Sequence, residues 1–174
     1  MARRAHTRGT QGGHPLSVLE NQSVIELSSS PVRVDGSEPL DVAARLMAQH
    51  HIGSLVVDAG GQPAGLITDR DVALAALQRP AGTPLPRVDE VASMPLMTLP
   101  STVSIEEAAL FFGEQCVRRV GLVSAEGALL GVLSSDTVLT FTATLLRTLA
   151  DGIEHGFSEE RNPSGSSSLS VGTE

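Results

Sequence analysis

Apolar positions along the chain fall into short blocks, and the blocks come in the same order twice. A brief extended piece at 32–34 leads. Leu40, Ala43, Ala44 and Met47 follow at spacings of three and four, the signature of one buried helix face. Apolar runs at 54–57 and 64–67 are split by Gly60-Gly61, which predicts a hairpin. A second helix is predicted from 69 to about 78. The order then returns. An extended piece lies at 97–99, Ile105, Ala108, Ala109 and Phe112 share a helix face, and runs at 120–123 and 129–133 flank Glu126-Gly127. The closing helix, from about 135 to about 154, is longer than its counterpart, with Val138, Leu139, Leu145, Leu146, Leu149 and Ile153 along its apolar stripe.

The two copies align residue by residue. Leu55-Val56-Val57-Asp58 sets against Gly121-Leu122-Val123-Ser124 at an offset of 66, and Gly65-Leu66-Ile67-Thr68 against Gly131-Val132-Leu133-Ser134 at the same offset. Asp41-Val42-Ala43-Ala44 matches Glu106-Glu107-Ala108-Ala109 at 65, so one residue is expected to be gained between helix and strand in the second copy. Three prolines within 80–86 forbid a regular helix and mark a linker. A copy of about 60 residues is marginal alone, so the two are expected to bury a shared core. The predicted organisation is a disordered tail at 1–23, a first repeat at 24–79, a linker at 80–90, a second repeat with an extended helix at 91–156, and a disordered tail at 157–174.

Composition narrows the function classes. Of 174 residues, 41% are hydrophobic but only 2% aromatic, with no Trp or Tyr, so the core is aliphatic and base-stacking surfaces are not expected. No apolar run approaches a membrane span, and no secretory leader is legible, so a cytoplasmic protein without membrane contact is expected. Residues 21–156 hold eight Arg against sixteen acids, a poor match for nucleic acid. The basic residues near the N-terminus are read as a disordered leader rather than a contact for nucleic acid or acidic lipid. The single Cys116 excludes an internal disulfide and a multi-Cys zinc cluster, and is expected to be a small buried hydrophobe. His50 and His51 are adjacent and cannot face one point from a regular helix, so they read as a helix end rather than a metal site.

Several segments now point to a family. His51-Ile52-Gly53-Ser54-Leu55-Val56-Val57 and Gly65-Leu66-Ile67-Thr68-Asp69-Arg70-Asp71 in the first copy are echoed by Val117-Arg118-Arg119-Val120-Gly121-Leu122-Val123 and Gly131-Val132-Leu133-Ser134-Ser135-Asp136 in the second. This arrangement, over roughly 24–150, resembles a tandem cystathionine-beta-synthase (CBS) domain pair, or Bateman module. The resemblance implies an α+β fold of two pseudo-symmetric β-α-β-β-α repeats packed as one module. It also implies a stand-alone regulatory protein that binds an adenosine-containing ligand between its repeats: AMP, ADP, ATP or S-adenosylmethionine. A homodimer and an unidentified effector protein are implied as partners. No cofactor, metal or catalytic residue is expected. The alternative is a ligand-free dimerisation or interaction module whose site has decayed.

The resemblance also assigns residues. In the family, the Thr/Ser and Asp of Gly-x-x-Thr/Ser-x-x-Asp contact the ribose, which maps to Thr68 and Asp71 here. Two carboxylate oxygens suit two vicinal hydroxyls. The same two residues at a strand-to-helix switch also resemble a capping box. In the second copy Ser134 holds the hydroxyl position, Thr137 stands where the carboxylate should be, and Asp136 is one residue early, about 100° round the helix. Nucleotide-binding members often carry a basic pair where Arg118 and Arg119 stand, and the forked guanidinium suits phosphate. A solvated strand edge or a salt bridge is the other reading of that pair.

Overall fold

A computed structural model describes residues 23–161. The predicted disordered tails lie outside the described residues, except that the last helix continues further than its hydrophobic stripe suggests. The elements are β1 (Arg33–Asp35), α1 (Leu40–His50), β2 (Ser54–Ala59), β3 (Gln62–Thr68), α2 (Asp69–Gln78), β4 (Thr98–Pro100), α3 (Ile105–Gln115), β5 (Arg119–Val123), β6 (Leu129–Ser134) and α4 (Ser135–Arg161). This is the β-α-β-β-α order, twice. Each repeat forms its own three-stranded sheet, β1-β2-β3 and β4-β5-β6, with the first pair parallel and the second antiparallel.

Local chemistry places the ends of these elements. Ser104 and Glu107 form a capping box at the start of α3, and Thr68 and Asp71 form one at α2. The backbone N–H of Ser104 donates to Glu107 at 2.7 Å, and this bond, with the Ser104 side chain, holds the Glu107 carboxyl below the usual range. Both α1 and α3 end on a residue in the left-handed region, His51 and Cys116, each at φ 53°. Cys116 is exposed rather than buried, because that left-handed turn carries it off the helix face that packs on the sheet.

The register corrects the residue alignment. Leu55 pairs with Ile67 and Val120 with Leu133, while Val57 pairs with Gly65 and Leu122 with Gly131. Val57 is therefore the counterpart of Leu122, an offset of 65, and the extra residue lies in the second hairpin rather than between helix and strand. Gly60 and Gly61, both at positive φ, close the first hairpin in two residues. The second closes with a longer turn in which Gly127 N–H donates to Ser124 O at 3.0 Å.

Segments before each repeat cross to the other. Val24 is fully buried in the core of the second repeat, beside Val120, Leu122 and Leu133. Val88, at the start of a single 3-10 turn, is fully buried in the core of the first, beside Leu40, Leu55 and Ile67. Ser29 exchanges backbone hydrogen bonds with Val132 on β6, and Ser93 does so with Leu66 on β3. These bonds cover what would otherwise be open sheet edges. Val24 and Ser29, within the stretch predicted as the first repeat, thus pack on the second, while Val88, in the predicted linker, and Ser93, in the predicted second repeat, pack on the first.

Contacts divide the chain after Val138. The body up to Val138 holds both sheets, both cores and the first turn of α4. The remainder of α4 exposes Leu139, Leu146, Leu149 and Ile153, while Phe141 and Leu145 are half-buried. Among the described residues no helix is long and apolar enough to cross a membrane.

Candidate functional site

Thr68 ends β3 and caps α2. Its hydroxyl accepts from the Asp71 N–H at 3.3 Å. In return Oδ2 of Asp71 accepts from the Thr68 N–H at 2.9 Å and from the Thr68 hydroxyl at 2.7 Å. One carboxylate oxygen is thus given to the cap. The other, Oδ1, has no hydrogen bond to any described residue. Capping and ribose recognition therefore make no conflicting demand on Asp71.

Thr68 and Asp71 line a cleft of about 440 Å³ together with Arg118 and Arg119. The two pairs lie some fifty residues apart in sequence and come from different repeats. Gly53 lies beside Asp69 and Arg119: a Cβ built there would stand 3.1 Å from Asp69 Oδ2 and 3.7 Å from Arg119 Nη2. Arg119, half-buried, makes no ion pair or hydrogen bond with any described residue. Ser93, Pro95, Leu96 and Met97 line the cleft as well. The sequence holds a signal for this segment in the recurrence of Ser29-Ser30-Pro31 as Ser93-Met94-Pro95.

The counterpart on the other side is nearly closed. A crevice of about 40 Å³ is lined by Ser29, Pro31, Val32, Ile52, Ser54 and Val132, among others. That is room for about one water, against the 300 Å³ or more of a typical ligand site. By strand register Ser54 stands where Arg119 stands. Neither Ser134 nor Asp136 lines this crevice or the larger cleft. Ser134 caps α4, its Oγ accepting from the Thr137 N–H at 3.1 Å and lying 2.8 Å from the Thr137 hydroxyl. Asp136 instead meets Arg118 at 3.2 Å. Among the described residues no group of His, Cys, Asp and Glu is placed to hold a metal ion.

Comparison with known proteins adds four findings. The CBS domain family model matches residues 16–78. The CBS domain-containing protein YhcV of Bacillus subtilis is 31% identical over 110 residues, covering 62% of this chain and 76% of the relative. Among solved structures, the CBS domain pair of protein MJ0100, in complex with 5′-methylthioadenosine and S-adenosyl-L-methionine, is 19% identical with a TM-score of 0.61, over 71% of this chain and 97% of that one. CBSX2, in complex with AMP, is 20% identical with a TM-score of 0.56, over 72% and 98%. The doubled architecture is that of a CBS pair, and with a relative matched over three quarters of its length, the chain belongs to the CBS domain family.

Proposed function

We propose that this chain is a regulatory CBS-pair protein that binds one adenosine-containing ligand per chain in the cleft at Thr68, Asp71, Arg118 and Arg119. The observation that carries the reading is the meeting of these four residues around about 440 Å³, while the pseudo-symmetric crevice holds about 40 Å³. The Asp71 oxygen left over from the cap is available to ribose hydroxyls. Arg119, without a counter-ion among the described residues, favours a phosphate over the cationic sulfonium of S-adenosylmethionine. AMP, ADP and ATP are thus the preferred candidates. Complexes of CBSX2 with AMP and of MJ0100 with adenosyl compounds support the ligand class.

The protein acts in the cytoplasm as a homodimer, and an effector protein reads its occupancy. The exposed Leu139, Leu146 and Ile153, recurring every seven residues on α4, support pairing of that helix with a second copy. Calorimetry on the full chain with AMP, ADP, ATP, adenosine and S-adenosylmethionine tests the ligand. One site per chain with a phosphate-bearing compound is expected. Absence of binding by every compound overturns the reading and favours the ligand-free interaction module. Sedimentation at tens of micromolar tests the dimer, and a monomer refutes it.

A further inference from the structure

Arg118 touches two things at once. It lines the cleft, and its Nη2 lies 3.2 Å from Oδ2 of Asp136 in the first turn of α4. Both side chains are about two-thirds exposed, 69% and 64%. An ion pair this exposed is worth little, about 0–1 kcal/mol, so an incoming anion can displace the carboxylate at small cost. Asp136 keeps a favourable place at the positive end of α4 when it is released. The equivalent place on the other side has no such pair, since Gly53 stands where Arg118 stands. Arg119, its neighbour in the cleft, has no carboxylate partner among the described residues.

We infer that Asp136 is a counter-ion gate on Arg118: it competes with the ligand's phosphate for one guanidinium and so sets how strongly the cleft prefers phosphorylated over unphosphorylated nucleosides. This rests on the nucleotide reading above and adds a specificity residue outside the cleft. The gate withholds one of the two arginines from weakly charged ligands. A ligand with more phosphate charge competes better, so preference grows with phosphate number. Asp136 acts through Arg118 and is a positioning residue.

The test is a double-mutant cycle read by calorimetry on the full chain, with AMP and adenosine as probes. Asp136→Asn keeps the side-chain shape and removes the charge. It is expected to tighten AMP about two- to five-fold, the fold-change matching the worth of an exposed ion pair, and to leave adenosine unchanged. In an Arg118→Gln background the same substitution is expected to change AMP affinity by less than about 1.5-fold. That second arm separates a gate from the general gain any anion makes when a nearby negative charge is removed. Unfolding curves of each variant show whether it folds. AMP bound equally by wild type and Asp136→Asn overturns the gate and leaves the nucleotide reading intact. A gain that persists without Arg118 does the same. Failure of wild type and variants alike to bind either probe overturns both.

Discussion

Replacing Asp71 by Thr separates the two tasks assigned to its carboxylate. The second repeat already carries a threonine there: Thr137 stands at this position in the cap that Ser134 makes on α4, its N–H bonding Ser134 Oγ at 3.1 Å and its hydroxyl lying 2.8 Å from that oxygen. Asp71→Thr therefore keeps a hydroxyl partner for the Thr68 side chain while removing the charge, the spare oxygen and the acceptor of the Thr68 N–H. An uncompensated cap loss costs about 1 kcal/mol. With a hydroxyl in place, the expected cost is about 0.5 kcal/mol, a shift of roughly 1–2 °C in Tm for a chain of this size. Ligand binding is a different matter. Hydrogen bonds from ribose hydroxyls to a charged acceptor are worth about 1.5–3 kcal/mol, which at about 1.4 kcal/mol per decade is a loss of roughly 10- to 100-fold in AMP affinity. Calorimetry with AMP and a thermal melt of the same preparation give both numbers. Asp71→Ala serves as the comparison that should lose both cap and ligand. If Asp71→Thr binds AMP as wild type does, the ribose role is wrong and the carboxylate is a cap alone. If affinity falls only in proportion to stability, the loss comes through the fold.

Arg119→Gln should bring AMP and adenosine affinities together, because it removes the unpaired guanidinium of the cleft, and the wild-type preference should fade with added salt; a preference unchanged by either is incompatible with phosphate at this residue. Val88→Ala should destabilise the fold by about 2–3 kcal/mol in urea unfolding, from lost burial plus a cavity, since Val88 is wholly buried in the first repeat's core; a cost under about 0.5 kcal/mol would mean this segment is a bare linker. Cys116→Gly should stabilise by roughly 0.5–1 kcal/mol, because relief of the left-handed conformation at φ 53° outweighs the entropy of glycine, and a fall in the denaturant midpoint would contradict it. Glu107 should titrate below an ordinary glutamate in a carbon-detected NMR titration, with the Ser104 N–H as cause. Because its folded value is depressed, the stability it contributes is present above its unfolded pKa of about 4.3 and is lost as the pH falls through the folded value; Ser104→Ala should raise the Glu107 titration.

The element order and the caps were legible in the sequence because they are local. Leu40, Ala43, Ala44 and Met47 declare a helix face by spacing alone; Leu40, Ala43 and Met47 are buried on it, while Ala44 is exposed. Thr68 and Asp71 lie three residues apart, so the cap that joins them needs no distant partner. The family pattern pointed to the same two residues and to Arg118 and Arg119, but nothing local indicates that the pairs line one cleft.

Tertiary structure decided the rest, where the local pattern is silent. Strands β2 and β5 are buried on both faces, at Leu55, Val56 and Val57 and at Val120, Gly121 and Leu122. Without alternation of apolar and polar residues a one-residue slip moves nothing to the wrong face, so hydrophobicity could not fix their register. Hydrogen-bond pairing across the sheets did. Val24 and Val88 carry an apolar character that any core would accept, and only packing sends each to the opposite repeat. Packing likewise left one inter-repeat crevice at about 40 Å³ and the other at about 440 Å³ from nearly repeated sequence. Asp136 read as a misplaced ribose ligand by its position along the chain; the fold turns it toward Arg118, because direction on a helix is set by rotation about its axis and the partner it meets by what packs there.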